Sequence, residues 1–198
     1  MWWVKQTAMG RKTGTRGLIV AMIDTSASMP DRSASIIGGE LYALMKRLPK
    51  TQVLHFCDGI AEYASKKVRQ PLFNSGGTVL GGCLELVASI YTPQKTLIFS
   101  DGGAHDKGLA LSVASRMTGE IDCFFCRPEP HLYDLAACKD YAQYKGMSED
   151  AIYRKLTRGC SVSFMKQLAR CGRGRFVDYS PGKVKLRHEI DISTEECR

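Results

Sequence analysis

Short apolar runs bounded by polar or turn residues recur along this chain. Between them, apolar residues return at intervals of three and four. Residues 18–23, LIVAMI, lie between Gly17 and Asp24. Such a run reads as a strand buried on both faces, the kind found inside parallel sheets. Over 33–48, Ile36, Ile37, Leu41, Leu44, Met45 and Leu48 form one helical stripe, which Pro49 ends. Gly38 and Gly39 weaken helix propensity there, and close approach to the sheet is the use expected of them. Residues 52–57 read as a second strand and 60–68 as a third, edge-like one. The segment NSGGT, Asn74 to Thr78, reads as a loop. Beyond it Leu80, Cys83, Leu84, Val87 and Ile90 share a helical face. Residues 95–100, KTLIFS, form a strand ending at Asp101. Asp106 is then placed to cap a helix whose apolar face is Leu109, Ala110, Val113, Ala114 and Met117. A strand over 121–126 follows, and Pro128 and Pro130 break the chain. A helix over 162–169 and a strand over 175–179 complete the pattern.

The order strand-helix-strand-strand-helix-strand-helix-strand, then an insert, then helix-strand, predicts an α/β fold. It is a Rossmann-like open, mostly parallel sheet with helices on both faces. The stretch 131–160 is too long for an ordinary connection and predicts a helical insert of one or two short helices. Three parts follow: a basic N-terminal arm (1–17), the α/β domain (18–180) and a tail (181–198). The tail alternates through Val184, Leu186, His188, Ile190 and Ile192, the pattern of an added edge strand.

Composition narrows the class. In 198 residues, 44% are hydrophobic, enough for a real core. No run reaches the roughly 18 apolar residues that cross a bilayer, and the first residues lack the apolar stretch of a secretory signal. The expectation is a cytoplasmic protein with no membrane association. Charge is uneven. The net +8 comes from 28 basic and 20 acidic residues, and the excess lies in residues 1–17 and 139–198. The densest part runs from Arg154 to Arg175 and includes Lys155, Arg158, Lys166, Arg170 and Arg173. Such surfaces attract nucleic acid or acidic proteins, so an RNA- or DNA-associated factor is one reading. Of the eight cysteines, Cys123 and Cys126 have CxxC spacing. They fall within a strand, where positions three apart face opposite sides. That argues against a chelating pair.

The most informative segment is Asp24-Thr25-Ser26-Ala27-Ser28, directly after the first strand. In open α/β sheets, ligands bind beyond the carboxyl ends of the strands. Alternate residues of an extended stretch face one side, so Asp24, Ser26 and Ser28 are expected to converge. The donors are all oxygen, which suits a hard cation, Mg²⁺ or Mn²⁺. Thr78, after two glycines, adds a hydroxyl. Asp101, at the end of the 95–100 strand, adds a second carboxylate, and the pair balances one divalent charge.

This combination resembles the von Willebrand factor type A domain. Its metal-ion-dependent adhesion site reads DxSxS, then a Thr, then an Asp. Asp24, Ser26 and Ser28 match the first loop, Thr78 the second and Asp101 the third. The likeness covers residues 18–127 and, through the last helix and strand, the rest of the fold. The insert, the arm and the tail depart from it. The resemblance implies that these five residues hold the ion directly or through water. It also implies that a protein partner supplies an Asp or Glu carboxylate to the open position, and that the chain serves in intracellular complex assembly.

Catalysis is not expected. His105 is the only histidine near the proposed site, and it reads as a loop or cap residue. His55 reads as a surface or polar-contact position in a strand. GxSxG, GxxxxGK[ST] and HExxH are all absent. A Mg-dependent phosphohydrolase of the haloacid-dehalogenase kind would need a second Asp two residues after Asp24, where Ser26 stands.

Overall fold

The computed structural model describes residues 18–47, 50–62 and 77–179. The strands are Ile19–Asp24 (β1), Thr51–Phe56 (β2), Ile60–Glu62 (β3), Lys95–Ser100 (β4), Glu120–Cys126 (β5) and Arg173–Tyr179 (β6). They form one sheet in the order β3-β2-β1-β4-β5-β6. Every neighbouring pair is parallel except β2 and β3. The chain moves outward from β1 to β2 and then returns to place β4 on its other side. The strand order therefore reverses between β1 and β4, and such a reversal opens a crevice at the carboxyl ends of the two strands.

The helices are Asp31–Arg47 (α1), Leu80–Ile90 (α2), Lys107–Arg116 (α3), Leu135–Cys138 (α4), Glu149–Thr157 (α5) and Val162–Cys171 (α6). Strand alternation divides the core between the two faces of the sheet. Val20, Met22, Ile98, Ile121, Cys123 and Phe125 pack with α2, α3 and α6. Ile19, Ala21, Ile23, Leu97, Phe99, Phe124 and Cys126 pack on the other face, with Ile37 and Leu41 of α1. Phe99 and Phe124 stack there at 4.5 Å between centroids, and Tyr179 meets both edge-on. Cys123 and Cys126 lie on opposite faces, as a two-residue period requires.

Four expectations are corrected. Gly38 and Gly39 are not points of close approach, since a Cβ at either would meet nothing within 4 Å. The tight contacts are elsewhere. A Cβ at Gly119 would lie 2.1 Å from the Pro93 carbonyl oxygen, and one at Gly81 2.7 Å from the Ala110 nitrogen. Leu109 is exposed, and α3 buries Ala110, Val113 and Ala114 instead. Asp106 occupies the N-cap position of α3 but makes no side-chain cap bond to that helix. Of the two readings of His55, surface or polar contact, the surface one is overturned: His55 is buried, and burial pushes it down to about 4, so it is neutral.

The insert contains α4, α5 and two single turns of tighter helix, Pro130–Leu132 and Ala142–Tyr144. It has a small apolar cluster of its own, built on Tyr144, Ile152 and Leu156. Ser148 and Ser161 accept backbone N–H bonds at the starts of α5 and α6, as Ser N-caps do. The N-terminal arm, the tail strand and the 63–68 part of the expected third strand lie outside the described residues.

Candidate metal centre

The carboxyl end of β1 delivers Asp24 into the crevice, and the end of β4 delivers Asp101. Both are fully buried. Asp24 is held by Ser26 and Ser100. The Ser26 N–H reaches Oδ1 at 2.9 Å and the Ser100 hydroxyl reaches Oδ2 at 2.6 Å. Ser100 also accepts the Gly102 N–H at 3.0 Å, so it ties the β4 loop to Asp24. The Ser26 and Ser28 hydroxyls lie 3.3 Å apart. Their convergence comes from a turn, closed by the Met29 N–H on the Ser26 carbonyl at 3.0 Å, and not from extended alternation. Thr25 anchors the turn, its backbone N–H and its hydroxyl both donating to the Phe56 carbonyl.

Asp101 Oδ1 accepts the Gly103 N–H at 2.8 Å, and Oδ2 accepts the Cys160 thiol at 3.2 Å. A Cβ built on Gly103 would lie 3.0 Å from Asp101 Oδ1 and 3.4 Å from Ser28 Oγ. Donors from the first and third loops thus flank one small space that the glycine leaves open. Thr78 is buried, and its carbonyl accepts the His105 N–H at 2.9 Å, which docks the second loop on the third. No side-chain hydrogen bond joins Thr78 to the other four residues. His105 itself is exposed.

Electrostatics favour a cation here. Burial, and then the charge of Asp101, push the Asp24 carboxyl up to about 7; the hydrogen bonds from Ser100 and Ser26 pull the other way and do not offset them. Among the described residues, no Lys, Arg or His forms an ion pair with either aspartate. Nor is any group of three or more His, Cys, Asp or Glu side chains among them placed to hold a metal ion. The candidate donors are instead two carboxylates and three hydroxyls. Each Asp101 oxygen keeps a lone pair beyond its present partner. That set fits a hard divalent cation, which takes oxygen ligands and retains water.

Sequence reasoning missed Ser100, Cys160 and Tyr133, whose phenol donates to the Ser28 carbonyl at 2.6 Å. It also missed Asp122 at the far, amino end of the sheet. Asp122 accepts the Arg175 N–H at 2.9 Å and meets Lys95 at 3.3 Å and the Arg175 guanidinium at 3.2 Å. The basic stretch from Arg154 to Arg175 is correspondingly divided. Arg158 precedes Gly159, which lies against Gly103, whereas the Arg173 guanidinium reaches the carbonyls of Met117 and Gly119 beyond the other end of α6. The ten residues of α6 separate the two ends by about 15 Å.

The chain matches no family model and no curated protein. The fold is a Rossmann-like parallel sheet flanked by helices, consistent with the von Willebrand factor type A architecture. Among the described residues, no helix is long and apolar enough to cross a membrane.

Proposed function

We propose that this chain is a divalent-metal-dependent protein-binding module of the von Willebrand factor type A kind, with Mg²⁺ or Mn²⁺ held by Asp24, Ser26, Ser28, Thr78 and Asp101. One observation carries the reading. Two buried aspartates meet at the strand-order reversal, and among the described residues no cationic side chain offsets them. Buried like charges without a counter-charge are costly, and a divalent ion is the simplest neutral solution.

The division of labour follows from the contacts. Ser100 and the Ser26 N–H hold Asp24 in one orientation. The Ser26–Met29 turn presents two neutral hydroxyls. The Gly103 N–H steadies Asp101. When bound, the ion supplies electrophilic attraction for an incoming oxygen ligand. The chain's own donors leave room in the coordination shell, so a carboxylate oxygen from a partner protein would take the open position. Binding, rather than turnover, is the activity this donor set serves, and assembly of an intracellular complex is the setting.

The test is binding of short Glu- and Asp-bearing peptides to the full chain in Mg²⁺ and in EDTA. The expected result is binding in Mg²⁺ that is lost in EDTA and in Asp101→Ala. Equal peptide binding in EDTA contradicts the reading.

A further inference from the structure

The insert touches both loops that carry the candidate donors. Near its start, Tyr133 donates to the Ser28 carbonyl, and its ring packs edge-on against Tyr153 at 5.7 Å between centroids. At its end, the Cys160 thiol donates to Asp101 Oδ2, and the Ser161 N–H donates to the Asp101 carbonyl at 2.9 Å. The junction is tight. Gly102 has φ +76°, and a Cβ there would lie 2.4 Å from the Ser161 carbonyl oxygen. The thiol is therefore delivered to Asp101 by backbone that is fixed on both sides.

The position of this thiol matters because the other Asp101 oxygen is already engaged by the Gly103 N–H. Oδ2 is left to its sulfur donor. A thiol is a weak donor, so it restrains the carboxylate without locking it. The S–H bond draws on charge that the carboxylate shares between its two oxygens, and so lessens what Asp101 offers a cation at either one. We infer that Cys160 is a positioning residue that restrains Asp101 against the cation, so that segment 131–160 sets the metal affinity of the site. This deepens the metal-site reading and rests on it.

The restraint predicts a sign that general loosening of the structure does not. Removing the donor frees Oδ2 and tightens metal binding. A loosened fold weakens it. The experiment is calorimetric titration of Mn²⁺ into the metal-stripped full chain, under a non-thiol reductant, for wild type, Cys160→Ala and Cys160→Ser. Cys160→Val repeats the test with a side chain closer in size should the alanine variant fail to fold. Cys160→Ala is expected to bind Mn²⁺ about three- to tenfold more tightly, the worth of one ordinary hydrogen bond, since the thiol is a weak donor. Cys160→Ser restores a donor, a stronger one, and is expected to return affinity to the wild-type value or below. If wild type binds Mn²⁺ and the donor-free variants bind it equally or more weakly, this inference is overturned and the metal site stands. If wild type binds no Mn²⁺, the metal-site reading fails and this inference fails with it.

Discussion

Asp106 Oδ1 accepts the backbone N–H of Leu80 at 2.9 Å, and its Oδ2 accepts that of Gly82 at 3.1 Å. The carboxylate thus caps α2, a helix that begins 26 residues earlier, while standing at the start of α3. Free N–H groups at a helix start favour a negative group. The bond has a consequence for the site, because it joins the loop after Asp101 to the helix that follows Thr78. Asp106→Ala should cost about 1–2 kcal/mol in urea unfolding, the usual worth of a cap. It should also weaken Mg²⁺ binding, through a displaced Thr78. Asp106→Asn keeps one acceptor and should lose less. An unchanged unfolding midpoint in Asp106→Ala contradicts the assignment.

The pH dependence has a definite sign. At pH 8, Asp24 is ionised in both the folded and the unfolded chain, and burial beside Asp101 makes that charge costly only in the fold. As pH falls through about 7 the folded form gains a proton, which the unfolded form gains only near 3.8. On account of this group, metal-free stability therefore rises from pH 8 toward pH 5. A bound cation replaces the proton, so Mg²⁺ affinity rises with pH over the same interval. Thermal midpoints at pH 5.5 and pH 8, for wild type and Asp24→Asn, measure this. The wild type should be the more pH-dependent of the two, and saturating Mg²⁺ should reduce its dependence. Identical pH profiles for the two proteins contradict it.

Glycine substitutions should divide by position. Gly39 is exposed in α1, with open space where a Cβ would stand. Gly39→Ala should stabilise by about 0.5–1 kcal/mol, through helix propensity and a less flexible unfolded chain. Gly119→Ala should destabilise by more than about 1 kcal/mol, because its Cβ would meet the backbone oxygens of Pro93 at 2.1 Å and Gln94 at 2.5 Å. Chemical unfolding of both variants separates the outcomes, and equal signs contradict the packing described.

Asp122 gives a prediction at the far end of the sheet. Its buried carboxylate joins Lys95 and Arg175, and it also accepts a backbone N–H. Asp122→Asn leaves Lys95 without one of its two acidic partners, the other being Glu120 at 3.1 Å. It should lower stability by about 1–3 kcal/mol and leave Mg²⁺ affinity unchanged. A lost metal site in that variant would mean that the two ends of the sheet are not independent.

Much of this architecture is legible because it is local. The runs 18–23 and 95–100 announce buried strands, and the 80–90 stripe announces its helix, since period and burial are written within one segment. Cys123 and Cys126 fall on opposite faces by the same alternation. Ser26 and Ser28 do meet, although a turn brings them together. What escaped is long-range. Ser100 finds Asp24 across 76 residues, Cys160 finds Asp101 across 59, and Tyr133 finds Ser28 across 105. No period relates such pairs, and only the completed sheet places them side by side. The sequence places Asp106 as a cap of the adjacent helix because capping is usually local. Its actual target depends on how α2 and α3 pack.

Asp24 and Asp101 are expected to hold a divalent cation together. This is tested most directly by calorimetric titration of Mg²⁺ into the metal-stripped chain, beside Asp24→Ala and Asp101→Ala. Wild type should show saturable one-site binding, Asp24→Ala none and Asp101→Ala strongly weakened binding, with all three chains folded. Equal Mg²⁺ binding by wild type and folded Asp24→Ala, or none by wild type, would contradict it.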